Sequence, residues 1–269
     1  LSVIYALIRW IARLSNLGDV SEVIDLLEDA AEKAFADLAE RPLLGGVELV
    51  AMPDSGVPLY AERFGFVQAI DDQLFATLCA EQDLDVWLAV RPGTYVDSRT
   101  ILLKTSRALD EQSARDARRA FVIDGDRTFE ADPRFGLIVL SETASKALSP
   151  GVNDPGTAID VLGTSLRILA GWSTAARAIP ARVTCPRLHV PPIAVEDLVC
   201  DAFRWIARDG AGQLEVQIRL QKALRSLAAH DPVHFGAAAQ AMSHEAFARA
   251  KIGLALPGDV EILERFVLD

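Results

Sequence analysis

The chain has 269 residues, 51% of them hydrophobic, and carries 27 Lys and Arg against 38 Asp and Glu for a formal net charge of −11. That length supplies a substantial buried core and allows one large domain or two modest ones. The acidic balance argues against a nucleic-acid groove, which needs clustered Lys and Arg, so no nucleic-acid partner is expected. The spacing of Cys79, Cys185 and Cys200 lacks a C-x-x-C pair and argues against a disulfide framework.

The first segment, L-S-V-I-Y-A-L-I, is followed by Arg9, Trp10 and Arg13. Eight residues, seven of them apolar, are too few to cross a bilayer, which takes about 20. The segment reads either as the tail of a membrane span with a cationic, aromatic boundary, or as an amphipathic helix packed on its own domain. No basic leader or small-residue cleavage site marks a secretory signal. From Asp19 to Glu40, Val20, Val23, Ile24, Leu27, Ala31, Ala34 and Leu38 recur at helical spacing, with acidic residues on the other face. Arg41-Pro42 ends that helix, because a residue before proline is pushed out of the α region. Residues 1–44 are therefore assigned as N-terminal helices, a connector helix preceded by a segment for which both readings, the end of a membrane span and a packed amphipathic helix, stay open.

Residues 45–131 form a β-rich module. Strands are predicted over Val47–Met52, Pro58–Glu62, Asp85–Val90 and Thr100–Lys104, with a hairpin from Ala120 to Glu130 turning at Asp124-Gly125-Asp126. Helices are inserted over residues 70–82 and 110–119. On the second, Arg115, Arg118 and Arg119 share one face, and the surrounding Asp110, Glu111 and Asp116 make it read as a solvated one. The turn Arg91-Pro92-Gly93-Thr94-Tyr95-Val96 is similar to turns in barrel-sandwich modules that carry lipoyl or biotinyl groups. No Met-Lys-Met hairpin accompanies it, so no cofactor is expected. Arg91 and Tyr95 are candidate ligand contacts.

Residues 132–269 read as an α-helical bundle. Helices are predicted over Pro133–Leu148, Pro155–Gly171, Val195–Arg208, Gln213–Ala229 and Val233–Gly253, with one extended piece, Arg187–Val190, in the proline-rich connector. The fold class is thus α+β: a small β-rich barrel or sandwich followed by a helical bundle. Two helices start at Asp-Pro pairs, where Asp132 and Asp154 can cap and Pro133 and Pro155 fill the first helical position. Between them Ser149-Pro150-Gly151-Val152-Asn153 makes a sharp corner. Ser149, Gly151, Asn153 and Asp154 are the ligand-binding candidates there, because a helix N-terminus attracts anions and glycine permits close approach. The competing structural reading has Asp154 satisfying amides of its own helix while Asn153 bridges the turn.

The run A-L-S-P-G-V-N-D-P-G-T-A at 147–158, preceded by D-P-R-F-G-L at 132–137, resembles the signature of a bacterial predicted-membrane-protein family, the domain of unknown function 2254 family. G-F-V-Q-A-I-D at 65–71, R-P-G-T-Y-V at 91–96 and D-A-F-R-W-I-A-R-D-G at 201–210 extend the resemblance. It implies a soluble portion following transmembrane helices, joined to a bacterial inner membrane through the N-terminal segment and lying on the cytoplasmic side. It implies no activity.

Chemistry-bearing motifs are sparse. The histidines are His189, His230, His234 and His244, and H-D-P-V-H places a proline between two of them. His230 then precedes a helix start capped by Asp231, and a third metal ligand would have to come from His244 or Glu245, roughly two to three turns along. No metal site is expected. G-x-S-x-G, H-E-x-x-H, P-loop and dinucleotide signatures are lacking in a usable context, and the carboxylate pairs Asp71-Asp72 and Asp132 with Glu142 read as caps, so no catalytic residue is assigned. The leading expectation is a non-enzymatic regulatory or assembly platform of a membrane protein. The alternatives are a small-molecule or ion sensor, built from the corner and Arg91, that gates the membrane part, and a metal-dependent hydrolase using His230, His234 and His244. Long amphipathic helices in an apolar-rich chain predict a homo-oligomer.

Overall fold

The computed structural model describes residues 20–268; the apolar start with Arg9 and Arg13 lies outside them. The α+β class holds. The chain divides into two compact units, one made of Ala31–Gly136 and Gly171–Leu198, the other of residues 20–30, 137–170 and 199–268.

Helix α1 is Val20–Glu40. It stops at the residue before Arg41-Pro42, as the proline requires. The strands that follow are β1 (Val47–Glu48), β2 (Val57–Tyr60) and β3 (Gly65–Ile70). Next come α2 (Asp72–Gln82), β4 (Val86–Leu88), β5 (Tyr95–Val96) and β6 (Ile101–Thr105). Then α3 (Glu111–Arg119) leads into β7 (Phe121–Asp124). Asp71 and Asp110 start the two inserted helices, their carboxylates accepting from the backbone N–H groups of Leu74 at 3.1 Å and Ser113 at 2.8 Å.

Helices α4 (Pro133–Ala147) and α5 (Pro155–Ala178) are followed by β8 (Leu188–Val190). Helix α5 runs seven residues past the predicted Gly171 boundary; an interior glycine costs only about 1 kcal/mol. The added turns let Trp172 pack on Phe35 with ring centroids 5.8 Å apart.

A five-stranded mixed sheet has the order β1-β8-β4-β6-β2, and a three-stranded antiparallel sheet the order β5-β3-β7. Neither closes into a barrel. Strand β8 runs parallel to β1 and β4 and sits between them, Val47 opposite His189 and Val86 opposite Leu188. The predicted hairpin at 120–130 is not formed. β7 pairs with β3 instead, Val67 opposite Ile123 and Ile70 opposite Phe121. The partner strand lies earlier in the chain: G-F-V-Q-A-I has no clean period of two, because a bulge between Val67 and Ala69 shifts its register and puts both Val67 and Ile70 opposite the buried positions of β7. Gly65 opens it at φ +147, and a Cβ there would lie 2.3 Å from the Asp124 carbonyl oxygen. Leu59, Val67, Phe75, Val86, Leu88, Leu103 and Phe121 belong to one buried cluster contributed by both sheets and α2.

The other unit takes the rest of α4 and α5, most of α6 (Val195–Asp209), and all of α7 (Leu214–His230), α8 (Pro232–Gly253) and α9 (Pro257–Glu264). Helix α9, without a predicted counterpart, closes on the core through fully buried Leu263. Helices α7 and α8 form a hairpin hinged at Asp231, whose side chain accepts from the His234 N–H at 3.2 Å. Its register is pinned by a buried polar pair, the Gln221 Nε2 donating to the Ser243 carbonyl at 3.0 Å and the Ser243 hydroxyl donating back to Gln221 Oε1. An unmatched polar group there would cost about 1–3 kcal/mol.

Candidate functional site

A cavity of about 780 Å³ opens within the sheet-bearing unit, walled by the end of α1, the 91–94 turn, Arg127 with residues 130–134, and residues 191–197. The turn is built by its sequence. Pro92 follows Arg91, Gly93 takes φ +90, and the Gly93 N–H donates to the Val67 carbonyl at 2.8 Å. Thr94 closes the loop: its N–H donates to the Arg91 carbonyl at 3.1 Å and its hydroxyl accepts from the Arg91 N–H at 3.2 Å. The Arg91 side chain is thereby aimed inward.

Arg91 Nη1 donates to two backbone carbonyls, Pro191 at 2.7 Å and Pro42 at 3.1 Å. One guanidinium thus ties the α1–β1 connection to the β8–α6 connection. Burial pulls its pKa down to about 10. Among the described residues no carboxylate forms an ion pair with it. Its cationic neighbours on the cavity wall are each paired, Arg41 with Asp72, Arg127 with Asp132 at 2.6 Å and Arg134 with Asp197 at 2.6 Å, and Asp37, Glu40 and Glu130 also line the wall.

Asp132 departs from its expected role. Its carboxylate does not cap α4; the Phe135 N–H donates instead to the Asp132 backbone carbonyl at 3.1 Å. Oδ2 accepts both Arg127 Nε at 2.7 Å and Arg127 Nη2 at 2.6 Å, while buried Oδ1 accepts nothing among the described residues. The Arg127 guanidinium also lies 5.0 Å from the Phe135 ring centroid and 5.8 Å from that of Phe66. A buried charge pair with aromatic faces against its cation is strongly held as a pair and costly to halve.

Of the residues singled out by sequence, Arg91 lines this cavity. Tyr95 does not; it is exposed on β5, its ring edge-on to Phe66 at 5.1 Å. The 149–154 corner belongs to the helical unit. There the Ser149 carbonyl accepts the N–H groups of Val152 at 3.0 Å and Asn153 at 2.8 Å, and Asn153 sits at φ +50. Asn153 Oδ1 accepts from Gln213 Nε2 at 3.3 Å. Gly151 is exposed, with open space where a Cβ would go. Asp154 accepts from the Thr157 hydroxyl at 2.6 Å and the Thr157 N–H at 3.3 Å, bonds that hold its carboxyl below the usual range. The corner and Arg91 lie in different units, and Asp154 is engaged with its own helix.

The histidines are dispersed. His189 stacks on Trp87 with centroids 5.5 Å apart, His234 Nδ1 lies 2.9 Å from Asp231 Oδ2, and His244 Nε2 lies 2.8 Å from the Leu268 carbonyl. Among the described residues no group of three His, Cys, Asp or Glu is placed to hold a metal ion. The carboxylates of Asp71 and Asp72 also diverge, one capping α2 and the other pairing with Arg41. What sequence reasoning missed is Asp132 with Arg127 and Gly93, and the available signal was an arginine five residues ahead of the Asp-Pro start.

A family model described as a predicted membrane protein (DUF2254) matches residues 1–226. Uncharacterized proteins of Mycobacterium bovis and of two Mycobacterium tuberculosis strains are similar. The bovis protein and one of the tuberculosis proteins are each 34% identical over 116 residues, which is 41% of this chain and 22% of the relative. The matched stretch therefore spans under a quarter of those relatives. No solved structure matches the chain. No helix among the described residues is long and apolar enough to cross a membrane.

Proposed function

Because the chain belongs to the DUF2254 family of predicted membrane proteins, we propose that it is a ligand-sensing regulatory domain of a membrane protein, with the Arg91 cavity as its receptor site for a small organic anion. In this reading the domain lies on the cytoplasmic side, joined to the membrane through its N-terminal segment, and no residue has a catalytic role. The observation that carries the reading is Arg91 itself. Taking an unpaired cation out of water costs several kcal/mol. Two carbonyl bonds, each worth about 1.5–3 kcal/mol when the donor is charged, offset part of that cost and supply no countercharge. A carboxylate or phosphate entering the cavity supplies it. The volume of about 780 Å³ falls in the range of small-molecule sites.

Binding would also tie state to structure. Arg91 holds the Pro42 and Pro191 carbonyls, so an anion competing for the same guanidinium biases both connections, one of which leads back into α1. The test is a thermal-shift and calorimetric titration with a panel of small carboxylates and organic phosphates, comparing the parent with Arg91→Lys and Arg91→Gln. At least one anion should stabilise the parent saturably, Arg91→Lys weakly and Arg91→Gln not at all. A parent that no anion stabilises, or equal responses in all three proteins, ends this reading.

A further inference from the structure

Helix α3 presents Arg115, Arg118 and Arg119, and the structure does not leave them on a plain solvated face. With Arg63, from the β2–β3 turn, they line a second cavity of about 480 Å³ over β7. Four guanidiniums line it with one carboxylate, Glu62, while Glu111 and Asp116 reach two of them from α3 outside the lining, in a chain whose net charge is −11. Arg118 is the fixed member: its Nε donates to the Tyr60 carbonyl at 3.1 Å and lies 3.1 Å from Glu62 Oε1.

The other three are loosely held. Arg115 is held only by exposed side chains of its own helix, Glu111 at 2.7 Å and Gln112 at 2.9 Å, and Arg119 only reaches Asp116 at 3.5 Å with 75% of its own side chain exposed. Arg63 is exposed and makes no ion pair among the described residues. Exposed pairs of this kind are weak, whereas a phosphate oxygen pair accepts two parallel N–H groups from a guanidinium fork. A phosphate therefore outcompetes the local carboxylates for Arg115 and Arg119 and meets no ion-pair competitor at Arg63 among the described residues.

The cleft and its rim carry exposed apolar surface. Val122, an outward position of β7, is 50% exposed on the wall, and Phe64, outside the lining but next in the chain to Arg63, is 66% exposed. Free phosphate has no use for an exposed phenylalanine. A lipid surface does, since an exposed ring one residue from an arginine of the cleft matches the headgroup layer, with the ring at its apolar boundary. We propose that this cleft docks the sheet-bearing unit onto an anionic phospholipid surface, its arginines taking lipid phosphates while Phe64 enters the interfacial layer.

The test is sedimentation of the full chain with vesicles of phosphatidylcholine, with and without phosphatidylglycerol, for the parent, Arg63→Ser/Arg119→Ser and Phe64→Ser. Residues 1–19 are common to all three proteins, so the ratio of parent to variant reads the cleft. At low salt the double variant should partition onto anionic vesicles roughly 25-fold less than the parent, about fivefold for each arginine lost. The difference should shrink as salt shortens the Debye length to about 8 Å. Phe64→Ser should weaken binding without changing the salt slope, and neutral vesicles should not distinguish parent from double variant. Equal partitioning of parent and double variant onto anionic vesicles overturns the proposal. So does a cleft that inorganic phosphate saturates, read as a thermal shift lost in the double variant, with vesicle binding unchanged.

Discussion

Gly93 and Asp132 share one volume: a Cβ on Gly93 would lie 2.5 Å from Asp132 Oδ2 and 2.7 Å from Oδ1. The turn that aims Arg91 and the carboxylate that holds Arg127 are therefore set by the same contact. Gly93→Ala must pay twice, for a left-handed φ of +90 and for the clash. A loss of about 2–4 kcal/mol is expected, measured by urea denaturation. A Gly93→Ala variant of unchanged midpoint would mean that the turn can rotate away, and that Arg91 is not rigidly placed.

Halving the Arg127–Asp132 pair should be worse than removing it. The side chains are 17% and 2% exposed, so Arg127→Met leaves a buried carboxylate alone and Asp132→Leu a buried cation alone. Each single change should cost about 3–5 kcal/mol. The double change should cost clearly less than the sum, which a double-mutant cycle reads directly. Additive losses would show that the two groups are not coupled.

These contacts mark the boundary of what was legible in the sequence. Helices α2 and α3 are local: Asp71 and Asp110 sit at their N-caps, with apolar residues recurring behind Asp71 and a polar and charged run broken only by Ala114 and Ala117 behind Asp110. The Asp-Pro start of α5 is equally local, and Asp154 caps it as expected. The same dipeptide at Asp132 misleads, because a long-range partner, Gly93, and a guanidinium five residues upstream claim its carboxylate. β8 shows the same limit. Three residues of extended chain were visible, but their place between β1 and β4 depends on hydrogen bonds to segments about 100 and 140 residues earlier. Strand β3 lacks the alternation that marks a half-buried strand because of its bulge, so local turn chemistry alone points β7 to a hairpin. For the candidate site, Arg91 was found from its turn, while the cavity facing it is made by pieces that sequence spacing cannot bring together.

Acid should unfold the helical unit in part through Asp209. Its carboxyl is held below the usual range first by hydrogen bonds from the Arg208 guanidinium, with the Ser145 hydroxyl also donating at 2.5 Å. A carboxyl depressed in the folded state contributes stability that is fully present above its unfolded value, about 3.9, and is lost as pH falls through the folded value. Asp209→Asn should therefore be less stable than the parent at neutral pH and show a flatter decline below about pH 4. Parallel curves for the two proteins would remove Asp209 from the acid transition.

The cysteines should separate by reactivity. Burial first, then the neighbouring Cys185, pushes the Cys79 thiol from 9.0 up to about 12. The thiolate is the nucleophile, so Cys79 holds about a thousandfold less of it near neutral pH than an unperturbed thiol would. Cys79 and Cys185 are also 2% and 6% exposed, whereas Cys200 is only partly buried. Native-state alkylation followed by mass spectrometry should label Cys200 first and the other two only on unfolding. Early labelling of Cys79 would mean that α2 opens locally at low cost.

The 149–154 corner can be assigned by a substitution that separates its backbone from its side chain. Asn153 holds φ +50, a region that Asn tolerates and glycine adopts freely. If Asn153 matters chiefly through that backbone angle, Asn153→Gly should change stability by less than about 0.5 kcal/mol, because the Gln213 bond it loses is long at 3.3 Å and exposed. Asn153→Val should cost about 1–2 kcal/mol, since a β-branched side chain is strained at positive φ. A ligand held by the Asn153 amide makes the opposite demand: glycine would then abolish binding while leaving the fold intact. Denaturation midpoints and anion-titration shifts measured on the same two variants decide between these roles. An Asn153→Gly variant that keeps its midpoint and its ligand response gives the corner to architecture and leaves Arg91 as the residue through which an anion is read.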